Sequence, residues 1–135
     1  MKIMKSVVKE LISHAKKDAP VEACGYLAAR DGVATHAYRL TNTDRSNEHF
    51  SFDPKEQFAA LKDARLRGLE LCGVYHSHPA SPARPSEEDK RLSQDPTMEY
   101  VIISLVSGKE DVRAFRIARA GMEPVLLEVI EDEGV

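Results

Sequence analysis

His76-Ser77-His78-Pro79-Ala80-Ser81-Pro82-Ala83-Arg84-Pro85-Ser86-Glu87-Glu88-Asp89 ends one apolar run and opens a helix. The run Leu69 to His76 reads as a strand, and alternation along it places Cys72, Val74, His76 and His78 on one side. Two histidines projecting together at a strand end can hold one cation between them. Pro79 to Pro85 form a compact proline-rich loop, after which Ser86 opens a helix. Asp89 has two readings. Ser86-x-x-Asp89 resembles a capping box, with Ser86 as N-cap. The same carboxylate sits in the first helical turn, where the positive end of the helix dipole favours an anion and suits a metal ligand. Both readings can hold together. Two imidazoles and one carboxylate make a three-ligand zinc set with a fourth position open, the arrangement hydrolytic zinc needs.

Working outward, the helix from Ser86 is expected to end near Asp95-Pro96. Tyr100 to Val106 and Val112 to Ile117 read as a hairpin joined by Ser107-Gly108-Lys109-Glu110, and Val125 to Ile130 as a last strand before a solvated acidic end, Glu131-Asp132-Glu133. On the amino-terminal side, Val7, Val8, Leu11, Ile12 and Ala15 recur at helical spacing over about residues 5–18, ahead of Pro20. Ala23 to Ala29 and Val33 to Leu40 flank Asp31-Gly32, a hairpin signal. Residues 41–48 are polar and turn-rich, and Phe50-Ser51-Phe52 suggests a short strand. Asp53 can cap a helix whose first position is Pro54 and which runs to Gly68. Helices and strands are interspersed, with hairpins, so the class is α/β: a mixed sheet flanked by helices.

The bulk numbers bound the function. A chain of 135 residues fits one domain with one core. Its net charge of -3 and the lack of a basic stripe argue against a nucleic-acid binder. No apolar run is long enough for a bilayer, and Lys9 and Glu10 stand where a signal core would lie. A cytoplasmic location is the default expectation. Cys24 and Cys72 are the only cysteines and form no Cys-x-x-Cys pair, so free, buried and inert thiols are expected, with a disulfide open only if their strands are neighbours.

Hydrolytic zinc also needs a general base and an oxyanion stabiliser. Composition does not choose among the acids. Glu87 and Glu88 point away from Asp89 on a helix, and Glu22 by itself reads as an exposed loop acid.

Glu22-Ala23-Cys24-Gly25, followed by His76-Ser77-His78-Pro79, six residues and Ser86-x-x-Asp89, resembles the JAMM (MPN-plus) zinc metallopeptidase family. Every defined position of that pattern is matched, and the resemblance covers nearly the whole chain. The stretch Asn42 to Pro54, and Phe115-Arg116-Ile117 with Glu123-Pro124-Val125, are similar to the prokaryotic branch that processes ubiquitin-like sulfur carriers. The resemblance implies one JAMM/MPN catalytic domain over residues 1–135, with a three-layer, cytidine-deaminase-like architecture. It implies that His76, His78 and Asp89 bind one Zn²⁺ with water as fourth ligand. Glu22, from the strand after the first helix, would take the water's proton and hand it to the leaving amine. Ser86 would hydrogen-bond the water or the oxyanion. The implied substrate is the glycine-ended tail of a ubiquitin-like or sulfur-carrier protein, an extended segment suited to pairing with a sheet edge. Neither nucleic acid nor membrane is an expected partner, and the choice between monomer and homodimer stays open.

Three other readings compete. A non-catalytic MPN-type binding module usually lacks the metal ligands, which this chain keeps. A deaminase uses His-x-Glu with Pro-Cys-x-x-Cys, absent here. A cysteine peptidase would need an activated thiol, and both cysteines lie in apolar segments.

Overall fold

The computed structural model describes residues 1–119 and 121–132. Strand β1 (Lys2–Met4) leads directly into helix α1 (Lys5–Asp18), whose buried side chains Val7, Leu11, His14 and Ala15 follow helical spacing. Strands β2 (Cys24–Arg30) and β3 (Val33–Leu40) form the hairpin expected from Asp31-Gly32. Both turn residues have positive φ, 52° and 81°, as the tightest hairpin turn requires. Helix α2 (Pro54–Leu66) begins after Asp53, whose carboxylate accepts the Lys55 N–H. Gly68, with φ of 70°, ends the turn that follows it. Then come β4 (Glu70–His78), the short helix α3 (Glu87–Leu92), β5 (Glu99–Ser104), β6 (Asp111–Ala118), β7 (Gly121–Val125) and β8 (Glu128–Ile130).

These strands make one mixed sheet of order β7-β6-β5-β4-β2-β3-β1-β8. The β4–β5, β1–β3 and β1–β8 pairs are parallel and the others antiparallel. The expected last strand, Val125 to Ile130, is therefore two strands on opposite edges, separated by Leu126 and Leu127 alone. A flat sheet of this width would set its edges about 34 Å apart at ~4.8 Å per strand. Three Cα steps from Val125 to Glu128 reach at most about 11 Å. The sheet must therefore curl until its edges nearly meet, and α1 fills the concave side. There Leu11, Leu27, Tyr75, Val101 and Ile103 form the main core. On the other face α2 packs Ala60 and Ala64 against Cys24, Ala28 and Leu40.

Several expectations are corrected. Phe50-Ser51-Phe52 contributes one bridge, Asn42 to Phe52, and no strand. Helix α3 stops at Leu92, where Ser93 turns extended (φ -86°, ψ 94°), and Asp95 then takes the Thr97 N–H and hydroxyl in a separate local turn. Cys72 does not share a side with His76. Leu27 pairs with Gly73 and Ala28 with Leu71, so β4 bulges at Cys72 and turns that side chain to the α1 core. Of the acidic end, Glu133 lies outside the described residues. Asp132 is no idle charge, since its carboxylate accepts the Ser6 N–H at the start of α1.

Gly25 on β2 is required by packing. A Cβ there would lie 2.1 Å from the Tyr38 carbonyl oxygen and 2.5 Å from the Tyr75 ring. Tyr75 is thus laid across the sheet, where its hydroxyl meets His14 Nδ1 at 2.7 Å and ties α1 to the strand that carries the two site histidines.

Candidate metal centre

The carboxyl end of β4 is where the chain leaves the sheet and crosses to its parallel neighbour β5, a position at which open α/β sheets place their sites. His76 lies opposite Cys24 of β2 and Ile102 of β5, and His78 opposite Ser104. Both imidazoles are buried and emerge on the same face. The loop after Pro79 folds back, and α3 returns Asp89 to them. Ser86 N-caps α3, its Oγ accepting the Asp89 N–H at 2.9 Å, while the Ser86 N–H donates to Asp89 Oδ2 at 2.9 Å. The capping box and the candidate ligand are the same aspartate, as the sequence allowed.

Three atoms converge. His76 Nε2 and His78 Nε2 are 3.1 Å apart, and they lie 3.2 and 3.0 Å from Asp89 Oδ2. Tetrahedral zinc with bonds near 2.0–2.1 Å separates its ligands by about 3.3 Å, so the triangle is almost the face such an ion needs. The tautomer of His78 also fits. Its Nδ1 donates to the Pro82 carbonyl at 2.8 Å, which leaves the lone pair of the neutral ring on Nε2. His76 is held differently. Phe50 stacks on it, centroids 4.8 Å apart, and its Nδ1 is buried with no hydrogen-bond partner among the described residues.

Electrostatics separate the ligand set from the neighbouring acid. Burial opposes charge on Asp89, but hydrogen bonds with His76 and His78 and the Ser86 N–H hold it far below the usual carboxylate range. Burial pushes His76 down, with Asp89 only partly opposing. Burial also acts downward on His78, yet Asp89 and the Pro82 carbonyl carry it above its ordinary value.

Glu22 joins the same site. It lies in the loop just ahead of β2, not in the strand as expected, and it is 2% exposed, not a surface acid. Burial, against the attraction of His78, pushes its carboxyl up to about 8, aided by the charges of Asp89, Glu88 and Glu48. Its Oε1 has no hydrogen-bond partner among the described residues. With His78, Ser86, Asn47, Glu48 and Glu88 it lines a cleft of about 390 Å³.

Two buried residues that sequence reasoning had not singled out hold this acid in place. Ser77 Oγ accepts the Ala23 N–H at 2.8 Å, and the Ser77 N–H donates to the Ala23 carbonyl. Asn42 donates to the Glu22 carbonyl at 3.1 Å. The signal for Ser77 was its place between the histidines, pointing to the opposite side of the strand. Asn42 sat in a polar stretch that offers many equivalent candidates. The thiols are free as expected, but only Cys24 is buried, and Cys72 is half-buried. Burial pushes Cys24 up to about 12 and Cys72 up to about 11.

The fold and the His-His-Asp cluster define the class, and comparison with known proteins agrees. The family of prokaryotic homologs of the JAB domain matches residues 4–118, and the chain belongs to it. A CysO-cysteine peptidase of Mycobacterium tuberculosis (strain ATCC 25618 / H37Rv) is 31% identical over 132 residues, 96% of this chain and 90% of that protein. The solution structure of protein DSY2949 from Desulfitobacterium hafniense superposes with TM-score 0.86 at 44% identity, covering 99% of this chain and 94% of that one. A structure described as a JAMM metalloprotease-like zinc site in the proteasome and signalosome gives TM-score 0.65 at 25% identity, over 97% and 98%. The chain is thus an enzyme of the JAMM peptidase class, as its motif implied. No helix among the described residues is long and apolar enough to cross a membrane.

Proposed function

We propose that this chain is a zinc-dependent peptidase that hydrolyses the amide bond after the glycine-ended tail of a ubiquitin-like protein of the sulfur-carrier kind. Residues 1–135 act as one catalytic domain, with His76, His78 and Asp89 holding a single ion. The observation that carries the reading is the convergence of three ligand atoms, 3.0–3.2 Å apart, beside a cleft that also holds Glu22 and Ser86. When bound, zinc supplies a Lewis acid that polarises a carbonyl and lowers the pKa of water toward ~7. Asp89 contributes the negative charge of the set, and the Pro82 carbonyl keeps the His78 ring in the orientation that presents Nε2.

Glu22 does the proton work. Its buried carboxyl oxygen Oε1 meets no hydrogen-bond donor among the described residues, so it can take a proton from the attacking water and deliver it to the departing amine. An acid pushed up to about 8 exchanges protons with water and amines far more readily near neutral pH than an ordinary carboxylate. Ser86 accepts through Oγ in the helix cap, which leaves its hydroxyl hydrogen free to donate into the cleft, to the oxyanion of the tetrahedral intermediate. The name of the mycobacterial relative, a CysO-cysteine peptidase, supports a substrate in which a carrier protein is joined by an amide to an amine-bearing group. Two free thiols, Cys24 buried and Cys72 half-buried, support a cytoplasmic setting.

The test is cleavage of a carrier protein extended beyond its terminal glycine, with one equivalent of zinc per chain. The expected product, by mass spectrometry, ends at that glycine, and a chelator abolishes its formation until zinc is restored. Stoichiometric zinc binding without cleavage of carrier fusions would leave a binding module. Absence of zinc binding would remove the metal centre itself.

A further inference from the structure

We propose that Asn42 is a positioning residue for Glu22, acting through the loop that forms one wall of the cleft. This rests on the reading of Glu22 as the proton-transfer group. Asn42 is 4% exposed and uses both ends of its carboxamide. Nδ2 donates to the carbonyls of Glu22 at 3.1 Å and His49 at 3.0 Å, with the Ser46 carbonyl at 3.4 Å. Oδ1 accepts the N–H groups of Asp44 at 3.0 Å and Ser51 at 3.2 Å. The loop answers from the other side, since the Glu22 N–H donates to the Ser46 carbonyl at 2.8 Å. Both backbone polar groups of Glu22 are therefore tied to one loop, and one side chain closes that loop.

The consequence is geometric. Residues 42–51 have no strand or helix of their own to hold their shape. They nevertheless deliver Asn47 and Glu48 to the cleft and stack Phe50 on His76. Burying a carboxamide is favourable only when its donors and acceptors are met, and here every partner lies on the loop or on Glu22. Asn42 thereby ties the backbone of the proton-transfer acid to this loop. No other side chain among the hydrogen bonds of the described residues donates to Glu22. Ser77 fixes the next residue, Ala23, so the two clamps are adjacent and distinct.

The experiment compares Asn42→Ala and Asn42→Asp with Thr43→Val and Glu22→Gln, each loaded with zinc, in single-turnover and steady-state cleavage of the carrier fusion. Asn42→Asp keeps the Oδ1 contacts but sets an oxygen against three carbonyls. Thr43→Val loses only the exposed Thr43 Oγ1 contact to the Ser51 carbonyl. The expected result is kcat about 10²-fold lower for both Asn42 variants, with KM within about twofold and one zinc retained, since small misplacements of a reacting group cost on this order. Thr43→Val should stay within about threefold. In the Glu22→Gln background, Asn42→Ala should cost little more, because both changes remove one function. Full kcat in Asn42→Ala, a loss confined to KM, zinc loss with the activity, or additive losses in the double variant would each overturn the proposal. If neither Asn42 variant folds, the residue is a determinant of folding and the proposal fails. If Glu22→Gln keeps full turnover, it is the assignment of Glu22 that falls.

Discussion

His78 Nε2 stands 3.0 Å from Asp89 Oδ2 while its Nδ1 gives its hydrogen to the Pro82 carbonyl, so one ring is oriented by the loop and presented to the helix. Asp89 is oriented in turn by the Ser86 N–H. The chain between them is thus the brace that holds the ligand set together. Asp89→Asn keeps an oxygen for the Ser86 N–H but removes the charge. Its expected effect is at least a 10–100-fold loss of zinc affinity, on the scale of perturbations to a zinc site, with the fold retained. Chelator competition and circular dichroism measure the two halves. Undiminished zinc affinity would exclude Asp89 as a ligand.

Glu22→Gln is the complementary substitution. It lies outside the converging triangle, so zinc stoichiometry should be unchanged while turnover falls by about 10²–10⁴-fold, the range for loss of general acid–base catalysis. Loss of metal in this variant would make Glu22 a ligand or a structural acid.

The same residue sets a pH dependence in the metal-free protein. Burial raises its carboxyl from 4.5 to about 8. A folded-state pKa above the unfolded one means that the native state holds the proton more tightly. The contribution is therefore full below pH ~4.5 and is lost as pH rises through about 8. Urea unfolding of the metal-free chain should show stability falling across that window by about 2–4 kcal/mol, and Glu22→Gln should flatten the fall. An equal decline in both proteins would assign it to other groups.

How far the sequence carried depends on which contacts are local. The hairpin at Asp31-Gly32, the Asp53-Pro54 helix start and the Ser86 cap are short-range chemistry, and each stands as read. His76, His78 and Asp89 were legible because they lie within one strand, loop and helix turn. Glu22 was reached only through the family pattern and Asn42 not at all, since their burial depends on strands far along the chain folding over them. The split between β7 and β8 was equally hidden. Apolar residues from Val125 to Ile130 look like one strand, and only the closure of the whole sheet decides that they serve two edges. The bulge at Cys72 inverted a face assignment for a related reason: alternation holds only while the register does.

Ser77→Ala tests the buried clamp on the Ala23 backbone. The Ala23 N–H would lose its acceptor in a site where Ser77 is 0% and Ala23 1% exposed. An unsatisfied buried donor costs about 1–3 kcal/mol, read as a lower urea midpoint at unchanged m-value. Because Ala23 follows Glu22, kcat should fall as well, and Ser77→Thr, which keeps the hydroxyl, should recover part of both. An alanine variant of wild-type stability would show that water or a backbone shift replaces the bond.

Gly25→Ala bears on the fold that makes the site possible. The added methyl would meet the Tyr38 carbonyl oxygen at 2.1 Å and the Tyr75 ring at 2.5 Å, distances that only movement of the backbone or of the buried ring can relieve. Tyr75 has no room to retreat. It is 0% exposed, held to His14 by a 2.7 Å hydrogen bond, and lies next to His76 on the same strand. Overpacking of this kind costs about 1–3 kcal/mol or more, and here it strikes backbone as well as a side chain. The upper end or beyond is therefore expected, with loss of soluble protein at 37 °C or a large fall in thermal midpoint. Reducing the ring with Tyr75→Leu in the same chain should relieve the methyl–ring clash but not the 2.1 Å approach to the carbonyl, so recovery should be incomplete. Full recovery would show that the ring alone makes glycine necessary, and a stable Gly25→Ala protein would show that β2 and β3 can part at this point without cost.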